Sequence, residues 1–131
     1  MEGKDKLCIA IFSLCVILSA CGHEPTASAK AITNSKNAMN VGQEYLDGSM
    51  TADDAVDSLN DILSNLEYAS NYSMDERDAD PKKHADYDLY TYVFFLNNSI
   101  LIDRGITGDA ETFDKVQDNL DQLKEKIDKY D

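Results

Sequence analysis

The chain is short of cysteine, proline, histidine and positive charge. Its three cysteines, Cys8, Cys15 and Cys21, all lie within the first 21 residues. Neither a disulfide nor a thiolate metal cluster can therefore form within the rest. Histidine is confined to His23 and His84. With so few candidate bases and no evident Ser/His/Asp spacing, the sequence argues against a nucleophilic triad, and the expectation is a protein that is not an enzyme. No phosphate loop or dinucleotide fingerprint is present, so no cofactor is expected. Lysine and arginine number 12 against 25 acidic residues, a net charge of −13. That excludes nucleic acid as a partner and argues against an electrostatic grip on anionic lipid. Long hydrophobic runs are missing too. Leu7 to Leu18 is an apolar stretch of twelve residues broken by Ser13, well short of the ~20 that cross a bilayer comfortably.

What the N-terminus does contain is ordered in three parts. Lys4 and Lys6, offset by Glu2 and Asp5, precede the apolar run, and the small residues Ser19 and Ala20 lead into Cys21. The sequence Leu18-Ser19-Ala20-Cys21 resembles the lipobox of a bacterial lipoprotein signal peptide. The resemblance implies cleavage between Ala20 and Cys21, and a Cys21 thiol carrying a diacylglyceryl group, with palmitate among the acyl chains. It implies a cell-envelope protein on the extracytoplasmic face of a membrane, either the cytoplasmic membrane's outer leaflet or, in a two-membrane cell, the outer membrane. Gly22 in place of Asp resembles outer-membrane sorting. Membrane lipid would then be held through Cys21 alone, because two acyl chains at ~0.8 kcal/mol per buried CH₂ anchor stably. The competing readings are a plain secretory signal in which Cys21 is incidental and an uncleaved membrane anchor.

The expected organisation is a signal peptide over residues 1–20, a lipidated tether over 21–27 and a helical domain over 28–131. Without residues 1–20 the chain holds 10 basic and 23 acidic side chains, still −13. Four segments of about twenty residues repeat apolar side chains at helical spacing. The first, about Ser28 to Leu46, has an inward face of Ala31, Ile32, Ser35, Ala38, Met39, Gly42 and Tyr45. Its small residues permit close approach of a bulky neighbour, and its first turns are expected to fray. The second runs Ala52, Ala55, Val56, Leu59, Ile62, Leu63, Leu66 and Ala69, with Thr51 as its cap. The third, about Ala85 to Arg104, is apolar on more than one face, which predicts the most buried helix. Its run Tyr90 to Leu96 also reads as a strand, although Gly105 supplies a helix stop. The fourth repeats Phe113, Val116, Leu120, Leu123, Ile127 and Tyr130 in a heptad-like seam. Short turns at 47–53 and 103–109 share the pattern Asp-x-x-apolar-Thr-x-Asp, and a polar stretch at 73–83 joins the middle segments. The predicted fold is all-α, an up-down-up-down four-helix bundle; a three-helix bundle with a loose first helix is the alternative.

Charge gives this bundle a direction. Taking 38–61 and 96–119 as the half remote from the tether, eleven acids face Arg104 and Lys115, a net of −9, while the tethered half carries −4. Function is expected to be protein interaction with an unidentified protein partner, the acidic end facing away from the membrane. The alternative is a small-ligand or cation-binding receptor. Tyr68, Tyr72, Tyr87, Tyr90 and Tyr92 read first as core packing with their hydroxyl tips reaching water, and second as candidates for a binding patch. Asp53, Asp54 and Asp57, and Asp75, Asp78 and Asp80, read as solvated acids rather than metal sites: the second set lacks the turn glycine and terminal Glu of a calcium loop.

Overall fold

Each early helix starts where a short polar side chain can take up a backbone N–H. The computed structural model describes residues 25–105 and 110–131, so Ala20, Cys21 and His23 lie outside it, as do residues 106–109. The described residues form five helices and no strand: α1 Ala29–Leu46, α2 Ala52–Ser70, α3 Met74–Ala79, α4 Pro81–Gly105 and α5 Ala110–Tyr130.

Ser28 caps α1, its Oγ accepting from the Ala31 N–H at 3.1 Å. The first turn does not fray. Thr26 N and Ala27 N both donate to the Tyr130 carbonyl, at 2.9 and 3.4 Å, and Ala27 and Ala31 are buried. Two donors and a closed apolar contact fix this entry, which the small side chains alone did not suggest. Thr51 caps α2 through the Asp54 N–H at 3.2 Å.

The stretch expected to be a plain connection contains α3. Ser73 and Glu76 form a reciprocal capping box around its first turn, satisfying two N-terminal donors at once. Helix α4 begins at Pro81, four residues before the periodic pattern suggests. Proline at a first helical position loses no bond and has φ already set, and Asp80 Oδ1 accepts from Lys82 N at 2.9 Å. Tyr90 to Leu96 is helix throughout. At the helix exits the two glycines differ: Gly48 takes φ +78, the left-handed conformation glycine adopts without strain, whereas Gly105 remains helical.

Helix α4 is central, packing on α1, α2, α3 and α5, whereas α2 and α5 do not meet. The buried side chains Leu59, Leu66, Leu89, Leu96, Leu120 and Leu123 fill the space between the long helices. On α1, Ala31, Ser35, Ala38 and Gly42 are buried. A Cβ on Gly42 would stand 3.1 Å from both Leu96 Cδ2 and Leu120 Cδ1, so its absence lets α1 sit between α4 and α5. Phe113 departs from the expected seam at 42 % exposed, and Thr112 is buried instead, its Oγ1 donating to Asp103 Oδ1 at 2.6 Å.

Hydrogen bonds tie the helix ends in two groups. Thr26 joins Tyr130, Ser28 joins Asp86 and Tyr68, and Tyr130 joins Asp88. At the other group Tyr45 donates to Asp103, Thr112 shares that carboxylate, and Arg104 pairs with Asp53 at 2.7 Å. Among the described residues no helix is long and apolar enough to cross a membrane.

Candidate functional site

The most elaborate polar arrangement surrounds Asp86, on the buried face of α4 and only 2 % exposed. One carboxylate oxygen accepts from Ser28 N at 2.7 Å, and the other accepts from the Tyr68 hydroxyl at 2.9 Å. Tyr68 and Ser28 hydroxyls lie 3.1 Å apart. A buried carboxylate is tolerated only with such partners, and this one joins the starts of α1 and α4 to the end of α2. Burial, with the Asp86 carboxylate behind it, pushes the Tyr68 hydroxyl up to about 12 against a lowering contribution from Ser28. The signal in sequence is a lone acid on an apolar stripe, Asp86-Leu89-Val93, a pattern absent from the candidate residues chosen by composition.

This network floors an open cleft of about 470 Å³ whose walls include Lys30, Tyr72, Lys82 and Lys83. Tyr68 and Tyr72 meet edge to face at 6.1 Å. The Lys30 ammonium lies 5.0 Å from the Tyr68 ring and Lys83 lies 5.2 Å from the Tyr72 ring. The cleft therefore combines aromatic faces, ammonium groups and a buried carboxylate, a set suited to a small polar or zwitterionic ligand.

The five tyrosines are not brought into one patch. Tyr68 and Tyr72 line the cleft. Tyr87 lies under the Arg77 guanidinium at 3.8 Å, which fastens α3 to α4. Tyr90 turns toward α2, sharing a groove with Leu63 and Glu67. Tyr92 turns toward α5, beneath Lys126 at 5.2 Å. On α4 the spacing of Tyr87, Tyr90 and Tyr92 separates them around the helix circumference.

Of the acids, Asp53 is engaged by Arg104 and Asp80 by the start of α4. Among the described residues no group of three or more His, Cys, Asp or Glu is placed to hold a metal ion. His84 is exposed, with Nε2 3.6 Å from Asp88 Oδ2. Asp88 also accepts from Tyr130 at 2.6 Å and lies 3.8 Å from Lys126.

The extra apolar face of α4 is only partly buried, short of the expectation: Tyr90 and Leu101 pack against the core, but their neighbours Phe94 and Ile102 do not. Phe94, Phe95 and Ile102 are 40, 43 and 54 % exposed. Tyr90 stacks on Phe94 at 6.3 Å, and Tyr92 meets Phe95 edge to face at 5.8 Å. Beside Phe95 and Ile102 a shallow groove of about 210 Å³ runs along α5, past Asn98 and Lys115. A helix touching four others still has an outward side, and here that side is aromatic and aliphatic.

No family model matches this chain, and no match to it is found among curated proteins or solved structures.

Proposed function

We propose that this protein is a lipid-anchored, extracytoplasmic interaction module of an envelope, acting by binding rather than by catalysis. Its helices are read as an up-down-up-down four-helix bundle. Supporting this are the two groups of end contacts, which alternate the chain direction from α1 to α2, α4 and α5. The observation that carries the functional reading is the entry of the chain. Thr26 and Ala27 are bonded to the last turn of α5, so at most about 17 Å of extended chain separates Cys21 from the bundle. Short tethering with a diacylglyceryl group at Cys21 would hold the Tyr68–Tyr130 end near the membrane and turn the −9 half outward.

The convergent polar groups also favour binding over catalysis, since Asp86, Asp88 and Asp103 each accept from a tyrosine on another helix. They are occupied in joining helices. A second reading, a receptor for a small polar ligand or cation, is favoured by the cleft at Tyr68 and Tyr72.

Metabolic labelling with a radioactive fatty acid tests the anchor. The wild-type chain is expected to take up label and fractionate with membranes, and Cys21→Ala to lose both. An unlabelled wild type would overturn the lipid anchor, and full membrane retention by Cys21→Ala would replace it by an uncleaved one.

A further inference from the structure

Residues 89–102 of α4 are fourteen in a row without a charged side chain, in a chain that is 28 % charged. That absence would be ordinary in a buried helix. Here Phe94, Phe95 and Ile102 are exposed, with the uncharged amide of Asn98 between Phe95 and Ile102 in the same groove. We infer that this face receives a second copy of the chain, α4 against α4, in a parallel two-fold pair.

The charges along its two edges select that occupant and that orientation. On the α2 edge, Glu67 lies beside Tyr90. Asp57 lies between Asp53, which reaches Arg104, and Asn60, which accepts from Asn97. On the α5 edge, Lys126 lies over Tyr92, and Lys115 lines the groove with Phe95 and Ile102. Glu67 and Lys126 thus stand at one height along α4, and Asp57 and Lys115 at another. Each lysine also has an acid of its own chain nearby, Asp88 at 3.8 Å from Lys126 and Glu111 at 3.5 Å from Lys115. A carboxylate of the second copy would add to these pairs.

A two-fold axis running alongside α4 sets the α2 edge of one copy opposite the α5 edge of the other, height for height. Glu67 then faces Lys126 of the second copy, and Asp57 faces Lys115 of the second copy. An axis across α4 would set acid on acid and base on base, which is penalised. The parallel contact is self-complementary, as a two-fold interface must be. Net repulsion between two acidic chains is screened beyond ~8 Å at physiological ionic strength, and the strip at the centre of the contact is neutral.

Fourteen helical residues span about 21 Å. With α2 and α5 at the margins, the face offers roughly 600 Å² per copy, somewhat below the ~800 Å² of an ordinary stable interface. The pair is therefore weak in dilute solution and strengthened when two copies share a surface. Parallel packing also puts both N-terminal ends on one side, as two anchors in one membrane require. That strengthening alone rests on the anchor reading.

The test is sedimentation equilibrium of the full chain in mild detergent, with circular dichroism to verify folding of every variant. Wild type is expected to be dimeric at high micromolar concentration. Asp57→Lys or Lys115→Glu alone should weaken the dimer about tenfold, and the two together should restore it by rebuilding the pair in the opposite sense. Phe94→Ser with Ile102→Ser should abolish it. A monomeric wild type, or a double charge variant no better than either single one, overturns the proposal. The same series on a Cys21→Ala chain separates this question from the anchor. A dimer that persists there and responds to Phe94→Ser belongs to the face; one that needs Cys21 and ignores Phe94→Ser belongs to the micelle and overturns the proposal.

Discussion

Ser35 occupies a place where a hydroxyl costs more than it returns. It is fully buried on α1, and its Oγ has no hydrogen-bond partner among the described residues. An unsatisfied buried hydroxyl forfeits its hydration without compensation, and alanine is the better helix former. Ser35→Ala is expected to raise stability by about 1 kcal/mol, read as a higher urea midpoint with unchanged slope. An unchanged or lower midpoint would mean that Ser35 has a partner that these contacts do not show. Tyr68 is the opposite case, because its hydroxyl serves Asp86 and Ser28 together. Tyr68→Phe keeps the ring but leaves a carboxylate oxygen in the floor of the cleft without that donor. A loss of about 1–3 kcal/mol is expected, measured by the same titration; an effect within error would show that solvent replaces the tyrosine.

At the scale of elements, periodicity made the long helices legible, and tertiary demands set their ends and margins. The inward faces of α1 and α2 follow from spacing alone: Ala31, Ile32, Ser35, Ala38 and Gly42 are buried as read, and so are Leu59, Ile62 and Leu66. Helix α3 escaped because hydrophobic spacing cannot reveal a six-residue helix with no buried side chain. Its Ser73-x-x-Glu76 signature was present but led into no apolar run. The outer side of α4 was misjudged for a different reason: sequence states that a face is apolar, not what covers it. Likewise Thr112 replaces Phe113 in the interior because Asp103 at the end of α4 accepts its hydroxyl. The close approach of α1 to α4 and α5 is an element-level property with a single point of failure. At Gly42 even a Cβ would crowd Leu96 and Leu120 at 3.1 Å. Gly42→Leu should therefore lower stability by about 1–3 kcal/mol through overpacking, despite leucine's better helix propensity. Thermal unfolding checks it, and an unchanged melting temperature would place α1 farther from its neighbours than described here.

On the scale of the whole molecule, three tyrosine–aspartate bonds bracket the helices at both ends: Tyr68 with Asp86 and Tyr130 with Asp88 at one, Tyr45 with Asp103 at the other. Burial, reinforced by the Asp103 carboxylate, pushes Tyr45 up to about 12, and Tyr68 reaches about 12 as well. Tyr130 is raised for the same two reasons, burial and Asp88. Each folded-state tyrosine thus holds its proton at a pH where an unfolded one, near 10, has lost it. Above about pH 10 the folded state binds more protons than the unfolded state, so stability falls with rising pH. Tyr45 and Tyr68 contribute to the fall up to about pH 12, and Tyr130, raised further, continues it. Below about pH 10 both states are protonated and these groups impose no slope. Parallel titrations of tyrosinate absorbance and far-ultraviolet circular dichroism, from about pH 9 to about pH 12, should show helix lost together with the last tyrosines to ionise. Tyr45→Phe should remove one ionising group from that late phase while leaving the others. If all tyrosines titrated near pH 10 with helix content unchanged, the bonds would not be closing the two ends, and the attachment of Thr26 and Ala27 to α5 would rest on their backbone bonds to the Tyr130 carbonyl and on apolar contact.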